Sequence, residues 1–214
     1  MNKNVLFVTG IDTNVGKTIA TGYLARELAQ AGKRVITQKM IQTGCEWISE
    51  DIEMHRKVQG IGLLEEDRSG LTCPYLFSYP CSPHRAAEID GVTILPEKIA
   101  EATAKLCKNY DIVLLEGAGG LMVPVTNDWL TIDYVREQGY PVVLVTSGVL
   151  GSINHTLLSL FACRQYGIFV DTVVYNQFPA EDAYINQDTQ AYLEGYLQRE
   201  FPSTRFVVLP ALTV

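Results

Sequence analysis

Residues 10–18, Gly-Ile-Asp-Thr-Asn-Val-Gly-Lys-Thr, form a glycine-containing segment that limits the chain to a small number of folds. It follows residues 5–9, an apolar, β-favouring run typical of a buried parallel strand. It precedes residues 18–31, whose apolar side chains recur at helical spacing until Gly32 ends the pattern. A small-residue loop between a strand and a helix points backbone N–H groups and the positive end of the helix dipole at one place. We therefore expect a phosphate-binding loop.

Two side chains of this loop suit a nucleoside triphosphate. Lys17 would place its charge at the β and γ phosphates, and the hydroxyl of Thr18 would bind Mg²⁺. The strict phosphate-loop pattern requires glycine at position 11, but this chain has Ile11 and carries the glycine one place earlier. The alternative is a glycine-containing turn with an exposed lysine, although the strand before and the helix after favour ATP binding. The residues expected to contact the nucleotide here are Asp12, Thr13, Asn14, Val15, Gly16, Lys17, Thr18 and Ile19.

Strand-like and helix-like segments alternate along the rest of the chain. Further strands are predicted over residues 34–39, 112–115, 142–146, 170–175 and 206–209. Further helices are predicted over residues 50–58, 96–107, 131–138, 153–165 and 187–200, and residues 60–83 are expected to form a long irregular loop. This order predicts an α/β fold: a single-domain, P-loop NTPase-like structure over residues 1–214, with a mainly parallel sheet and helices on both faces.

The net charge, the apolar runs and the cysteines of the chain indicate which classes of partner to expect. Its net charge of −7 argues against a nucleic-acid or anionic-membrane surface, which would need a basic excess. No run reaches the roughly 18 consecutive apolar residues of a membrane span. The five cysteines form no CxxC pair and no secretory signal is recognised, so reduced thiols in a cytoplasm are expected. Small molecules are therefore the expected partners.

Polar segments follow three of the predicted strands, at residues 10–18, 39–44 and 116–120, where a parallel α/β sheet binds its ligands. Glu116 ends a buried strand and would hold Mg²⁺ directly or through water, unless it only serves a turn. Asp51 is a second candidate ligand, against the alternative of a solvated acidic helix start. Lys39 would neutralise a transferred phosphoryl group or a substrate carboxylate, or else it only caps a strand end.

The histidines give no metal or catalytic signal. His55, His84 and His155 lack the spacing of metal ligands, so a structural role is favoured for each. No serine, histidine and aspartate arrangement can be argued from the sequence either. The candidates for chemistry are thus the lysines and carboxylates named above.

Residues 10–18 resemble the phosphate loop of dethiobiotin synthetases, which reads G-T-D-T-x-V-G-K-T and has the same early glycine. Further segments agree in order with that family. They are K-M-I-Q-T-G at 39–44 with K-P-V-x-S/T-G, S-P-H at 82–84, E-G-A-G-G at 116–120, and L-G-S-I-N-H at 150–155 with L-G-x-I-N-H. Asn176 resembles the family's base-reading asparagine. The similarity runs from about residue 5 to about residue 176, and the motifs together are highly specific.

The resemblance implies a homodimer that converts 7,8-diaminopelargonic acid, CO₂ and ATP to dethiobiotin with Mg²⁺, in biotin biosynthesis. By the same resemblance, the catalytic residues are Lys17 and Lys39, and the Mg²⁺ ligands are Thr18, Asp51 and Glu116. Further implied nucleotide contacts are Glu116, Asn176 and Pro210. The implied substrate contacts are Thr13, Lys39, Thr43, Pro83 and Gly119, with Gly151, Ser152, Ile153 and Asn154 supplied to the partner subunit.

Departures from the family's pattern carry their own expectations. Met40 replaces the family's proline and is expected to loosen the loop that carries Lys39. The sequence ends at Val214, where many relatives continue with a stretch that helps to enclose adenine, so weaker base selectivity is expected. Three tyrosines either face the diamine across a dimer or, as is favoured, pack their own helix: Tyr184, Tyr192 and Tyr196.

Two other classes of protein share features with this sequence. A partitioning-type ATPase switch shares this fold, but its signature lysine lies five places before the motif lysine, where this chain has Asp12. It also often carries a basic surface for membrane or DNA, and none is evident. An amidotransferase-linked synthetase of the cobyrinate type would add a glutaminase domain, for which 214 residues leave no room.

Overall fold

The computed structural model describes residues 4–178, 182–210 and 212. Its strands are β1 (Val5–Gly10), β2 (Val35–Lys39), β3 (Gln42–Thr43), β4 (Leu76–Phe77), β5 (Ile112–Glu116), β6 (Pro124–Thr126), β7 (Trp129–Leu130), β8 (Val142–Ser147), β9 (Val170–Asn176) and β10 (Arg205–Leu209). Its helices are α1 (Lys17–Gln30), α2 (Glu50–Gln59), α3 (Glu65–Arg68), α4 (Pro83–Ile89), α5 (Pro96–Leu106), α6 (Thr131–Gln138), α7 (Ser152–Gln165) and α8 (Ala183–Glu200).

A six-stranded parallel sheet forms the centre, with the strand order β10-β9-β8-β1-β5-β2. β1 lies between β5 and β8, so Val8 stands opposite Glu116 on one side and Val143 on the other. On the far side of β5, Lys39 stands opposite the same Glu116. The register therefore brings the carboxyl ends of β1, β5 and β2 to one edge of the sheet. The predicted α/β fold with a parallel sheet is confirmed.

Helices cover both faces of the sheet because its central strands are apolar on both sides. Along β1, Val5 and Phe7 point into a core that also receives side chains of α4, α5, α6, α7 and α8. The alternate residue Val8 points into the other core, which α1 covers with Ala20 and Ala25. α2 packs in turn on α1 and on β2. None of the helices in the described ranges combines the length and hydropathy needed to cross a bilayer.

The structure corrects several predicted bounds. Residues 60–83 are not one irregular loop, because α3 and β4 lie within them and α4 begins at Pro83. These elements have four, two and seven residues, too few for a periodic pattern to reveal them. α8 begins four residues earlier than predicted because Asp182 caps it. The Asp182 carboxylate accepts hydrogen bonds from the N–H groups of Tyr184 and Ile185 at 2.8 and 3.1 Å.

Candidate active site

A cavity of about 660 Å³ opens where β1, β2 and β5 end. All three polar segments predicted from the sequence contribute to it. The cavity is lined by Thr13, Asn14, Gly16, Lys17, Thr18, Ile19, Lys39, Ile41, Gln42, Thr43, Glu50, Asp51, Met54, Pro80, Glu116, Ala118 and Gly119. It lies at the position where sheets of this kind bind ligands.

The loop between β1 and α1 is bent by two residues in the left-handed region. The φ angles of Asn14 and Gly16 are 60° and 94°, values that asparagine and glycine adopt most readily. A side chain at Gly16 would also collide with the amide group of Asn176. α1 begins at Lys17 and no side chain caps it, so its first N–H groups remain available to a ligand in the cavity. This is the geometry of an anion site at a helix N-terminus.

Lys17 lies folded against this loop. Its Nζ donates a hydrogen bond to the carbonyl oxygen of Asp12 at 2.8 Å, and the residue is almost fully buried. Burial lowers the pKa of Lys17 to about 8, although the carboxylates of Glu116 and Asp51 act in the opposite direction. The ammonium group is thus only partly compensated by the protein, and an anionic group in the cavity would supply the remaining countercharge.

Lys39, Asp51, Glu116 and Thr18 form one polar cluster beside the loop. The Lys39 Nζ lies 2.5 Å from Asp51 Oδ2 and 2.8 Å from Glu116 Oε1. The Thr18 hydroxyl donates to Asp51 Oδ1 at 2.9 Å and lies 3.3 Å from Glu116 Oε1. Lys39 therefore does more than cap a strand end, and Asp51 is not merely a solvated helix start. Three oxygen-bearing side chains converge on one place, against a buried cation.

The charges of this cluster stabilise one another. Burial opposes the charge of Lys39, but Glu116 and Asp51 outweigh it and raise the pKa of the amine. Burial likewise raises the pKa of Glu116, but Lys39 and His55 outweigh it and hold that pKa well below its usual range. Glu116 is consequently a carboxylate at any pH at which the protein would work.

His55 contacts the site, although the spacing of the histidines gave no sign of this. It is fully buried on α2, and its Nε2 lies 2.7 Å from Glu116 Oε2. Its Nδ1 lies 3.0 Å from the hydroxyl of Thr37 on β2. The expected structural role is therefore incomplete, because the ring contacts a carboxylate of the site itself. The one signal available in the sequence was the spacing of four residues from Asp51, which puts both side chains on one helix face.

A buried ion pair ties α2 to α3. Arg56 donates through Nε and Nη2 to the two carboxylate oxygens of Asp67, at 2.9 and 2.7 Å. Asp67 also accepts hydrogen bonds from the Leu64 N–H at 2.7 Å and the Thr72 hydroxyl at 2.8 Å. Burial raises the pKa of Asp67, but Arg56 and these hydrogen bonds outweigh it and hold the pKa below its usual range. The helix that carries Asp51 and His55 is thus anchored from behind.

Met40, which replaces the family's proline, is held to the neighbouring strand by its backbone. Its N–H donates to the carbonyl oxygen of Glu116 at 2.8 Å, and its side chain is buried in the core. The neighbouring N–H of Lys39 donates to the Thr72 carbonyl at 2.7 Å. Proline has no N–H and could not make the first of these bonds. The replacement therefore adds a backbone link between the two strand ends.

Some predicted ligand contacts do not line the cavity, among them Asp12, Val15, Asn176, Pro210 and Pro83. Asn176 ends β9 beside the loop, where its Nδ2 donates to the Val15 carbonyl at 3.1 Å. Its Oδ1 accepts from the Phe178 N–H at 3.1 Å. Pro210 follows β10 and is exposed. Pro83 is buried in the first turn of α4 and does not line the cavity.

Residues 151–154, predicted to bind the substrate of a partner subunit, lie at the start of α7 and outside the cavity. Gly151 precedes the helix with a φ of 98°, and the Ser152 hydroxyl lies 3.0 Å from that of Ser147. A second cavity, of about 330 Å³, lies between the phosphate loop and the middle of α7. It is lined by Gly10, Ile11, Asp12, Thr13, Gly120, Leu121, Met122, Val123, Leu158, Ser159 and Ala162.

A parallel sheet, an uncapped helix after a glycine loop, and a lysine beside a hydroxyl and two carboxylates together define a P-loop nucleotide-binding protein. Consistent with this class, a family model described as an AAA domain matches residues 4–212.

Similarity to curated proteins narrows the class. The ATP-dependent dethiobiotin synthetase BioD 2 of Haemophilus ducreyi is 58% identical over 205 residues, covering 96% of this chain and 97% of that protein. The BioD 2 of Pasteurella multocida is 56% identical over 210 residues, covering 98% and 99%. The BioD of Chlorobaculum tepidum is 53% identical over 199 residues, covering 93% and 83%. The chain belongs to the family of ATP-dependent dethiobiotin synthetases.

Two solved structures with a similar fold come from other functional classes. One is a plasmid partition protein of Borrelia burgdorferi B31 bound to AMPPNP, with a TM-score of 0.57, 12% identity, and coverage of 99% of this chain and 91% of that one. The other is the pNOB8 ParA bound to nonspecific DNA, with a TM-score of 0.56, 14% identity, and coverage of 98% and 86%. At such low identities the likeness concerns the fold alone.

Proposed function

We propose that this chain, as one synthetase domain over residues 1–214, closes the ureido ring of dethiobiotin from 7,8-diaminopelargonic acid and CO₂ with ATP. Family membership supports the reaction, which belongs to biotin biosynthesis. The feature of the site that supports the proposal most directly is a pair of lysines. Lys17, at the start of α1, and Lys39, at the end of β2, line one cavity, and the reaction has two anionic centres to hold together.

The phosphate loop would bind the triphosphate of ATP. Its backbone N–H groups and the N-terminus of α1 would face the phosphates, and Lys17 would exchange the Asp12 carbonyl for the γ-phosphate. Asn176 and Pro210, after β9 and β10, would meet the base. Direct readout by Asn176 would compete with its hydrogen bonds to the backbone at Val15 and Phe178.

Mg²⁺ suits the donor set of the cluster. Its candidate ligands are oxygen atoms, the ligand type that Mg²⁺ prefers: Thr18 Oγ1, Asp51 Oδ1 and Glu116 Oε1. Within the described ranges, no group of three or more His, Cys, Asp or Glu could hold a metal ion. The ion would therefore complete its shell with water and phosphate oxygens, as is common for Mg²⁺. When bound, it supplies charge neutralisation for the β and γ phosphates.

Ring closure itself requires mainly positioning and charge neutralisation from the protein. One amine of the diamine attacks CO₂, loses a proton and becomes a carbamate anion. A carbamate oxygen then attacks the γ-phosphorus while the bond to the ADP oxygen breaks. The second amine attacks the carbamoyl carbon and phosphate leaves. Lys39 would hold the carbamate and Lys17 the phosphoryl group, and the remaining substrate contacts in this cavity would be Thr13, Thr43 and Gly119.

A homodimer would complete the site. The N-terminus of α7 would bind the substrate carboxylate across the subunit boundary, because residues 151–154 lie outside the cavity of their own chain. Exposed apolar side chains on and beside α7 suit such a contact, namely Leu150, Leu158 and Phe161. We propose small molecules as the other partners, without nucleic acid or membrane, and a cytoplasmic location. Among the three tyrosines, Tyr184 is the most exposed.

The experiment that tests this function measures ADP release with and without 7,8-diaminopelargonic acid plus bicarbonate. We expect release that depends on both additions. ADP release at the same rate with and without the diamine would support a partitioning-type ATPase switch instead. Lys17→Ala should lower turnover by about 10²- to 10³-fold, the scale for losing one group that stabilises transition-state charge. Its melting temperature should stay near that of the wild type, because the substitution removes a partly compensated buried charge.

A further inference from the structure

A one-way chain of hydrogen bonds runs into the carboxylate of Glu116 from behind. Arg56 donates through Nη1 to the hydroxyl oxygen of Thr37 at 2.7 Å, and this hydroxyl lies 3.0 Å from His55 Nδ1. His55 Nε2 lies 2.7 Å from Glu116 Oε2. Arginine can only donate, so the hydrogen of the Thr37 hydroxyl is available to His55 Nδ1. The carboxylate can only accept, so His55 Nε2 carries the hydrogen that Glu116 receives.

This chain distinguishes the two oxygens of Glu116. Oε2 is held by the imidazole, whereas Oε1 faces the cluster and lies 2.8 Å from Lys39 Nζ and 3.3 Å from Thr18 Oγ1. Because His55 is fully buried, its ring has little room to turn away. A metal ion beside Thr18 would therefore approach Oε1, because Oε2 is turned toward the imidazole.

One-oxygen ligation matters because the common divalent cations differ in what they demand. Mg²⁺ takes six ligands at about 2.0–2.1 Å in octahedral geometry, whereas Ca²⁺ takes 6–8 at about 2.3–2.6 Å and often uses both oxygens of a carboxylate. We propose that His55 is a positioning residue that restricts Glu116 to one ligating oxygen and thereby makes the site select Mg²⁺ over Ca²⁺. This inference rests on the proposed metal role of Thr18, Asp51 and Glu116.

The construction of α2 supports the assignment. Asp51 and His55 lie four residues apart and face the same cluster, so one helix supplies both a ligand and the support of the other ligand. The Ser49 hydroxyl caps the helix by accepting from the Ile52 N–H at 3.2 Å. At the other end of the segment, Arg56 is bound by the buried carboxylate of Asp67. Because α2 is fixed near both ends, His55 can hold the carboxylate of Glu116 in one orientation.

The test compares His55→Leu, which removes the donor, with His55→Gln, which keeps an N–H donor. The dissociation constants of Mg²⁺ and Ca²⁺ are measured by calorimetry on the full chain saturated with ADP, without turnover. We expect His55→Leu to weaken Mg²⁺ binding by about tenfold, the lower end of the effect of losing a ligand's hydrogen-bond partner. Ca²⁺ binding should change less, so the Mg²⁺/Ca²⁺ preference should fall, and His55→Gln should recover part of it.

Thr103→Val is the matched control. It removes a buried hydrogen bond to Gln38 Oε1 of 2.8 Å in the same protein without touching Glu116. Both metal constants should match the wild type. If His55→Leu does not fold, Thr37→Val decides, because it frees the imidazole while leaving the donor in place. A lowered preference in that variant supports the inference.

An unchanged Mg²⁺/Ca²⁺ preference in the folded His55 or Thr37 variant would overturn the positioning role. A different result identifies failure of the proposed function instead. If ADP binds the wild-type chain equally well with and without Mg²⁺, then the metal role of the cluster itself is wrong. Failure of the positioning role would therefore appear in the variants, whereas failure of the proposed metal site would appear in the wild-type chain.

Discussion

The backbone N–H of Met40 donates a hydrogen bond to the carbonyl oxygen of Glu116 at 2.8 Å, and so joins the ends of two neighbouring strands. The side chains beside this bond carry the buried ion pair, with Lys39 Nζ 2.8 Å from Glu116 Oε1. Backbone and side chain thus fix the same two strand ends. This places the lysine proposed to hold the carbamate at a defined distance from the carboxylate proposed to hold Mg²⁺.

Nucleotide binding should take up protons at alkaline pH. The pKa of Lys17 is lowered to about 8 by burial, so most of the population is neutral at pH 8.5 to 9. A bound phosphate raises that pKa, and the lysine must then gain a proton from solution. Calorimetric ADP titrations in two buffers of different ionisation enthalpy measure this uptake.

The uptake should be largest near pH 9 and small at pH 7, where Lys17 is already charged. Lys17→Ala should abolish it. Equal uptake in Lys17→Ala and the wild type would assign the proton to another group.

Removing the ammonium group of Lys39 should make the stability of the protein more sensitive to Mg²⁺. In Lys39→Met the carboxylates of Asp51 and Glu116 lose the ammonium group that lies 2.5 and 2.8 Å away. Breaking a buried pair in this way costs about 3 kcal/mol or more of unfolding free energy. Mg²⁺ should restore part of the loss, since it binds the native cluster and not the unfolded chain.

Thermal melts of Lys39→Met and the wild type, each with Mg²⁺ or with EDTA, measure this effect. The rise in melting temperature caused by Mg²⁺ should be larger in the variant. An identical rise in the two proteins would mean that the ion does not bind where the lysine was.

The Arg56–Asp67 pair should stabilise the protein at neutral pH and fail in acid. The native pKa of Asp67 is lowered, so its contribution is fully present above the unfolded pKa of about 3.9 and disappears as the pH falls through the native pKa. Asp67→Asn leaves Arg56 buried without its countercharge and should cost about 3 kcal/mol at pH 7.

Urea unfolding of the two proteins between pH 7 and pH 3 follows this difference. It should be constant above about pH 5 and shrink below about pH 4. Glu88→Gln is a useful control, because it removes an exposed pair with Arg85 and should have a small effect throughout. A difference that persisted undiminished at pH 3 would mean that Asp67 is not the titrating group.

The sequence predicted the site well wherever chemistry follows a strand end. Lys39 and Glu116 each end a strand, Lys17 begins the helix that follows β1, and the parallel sheet brings these positions to one edge. The register of that sheet, with Glu116 opposite both Val8 and Lys39, is a consequence of the strand order and could not be read from spacing.

Contacts between distant segments were the part that sequence reasoning could not reach. His55 and Glu116 lie 61 residues apart, and nothing in either local pattern indicates the other. The buried position of Arg56 is equally invisible, because arginine is usually exposed and its partner Asp67 lies in a four-residue helix. The hydrogen bond of the Met40 N–H could not be predicted either, since it depends on where the Glu116 carbonyl points.

ATP cleavage and ring closure are proposed to be coupled in one cavity. The direct measurement supplies ¹⁴C-bicarbonate, 7,8-diaminopelargonic acid and MgATP, and counts labelled dethiobiotin and ADP in the same samples. We predict one ADP for each labelled dethiobiotin, and neither product in Lys17→Ala beyond a trace. ADP that accumulates without labelled dethiobiotin would show that ATP cleavage is not coupled to ring closure.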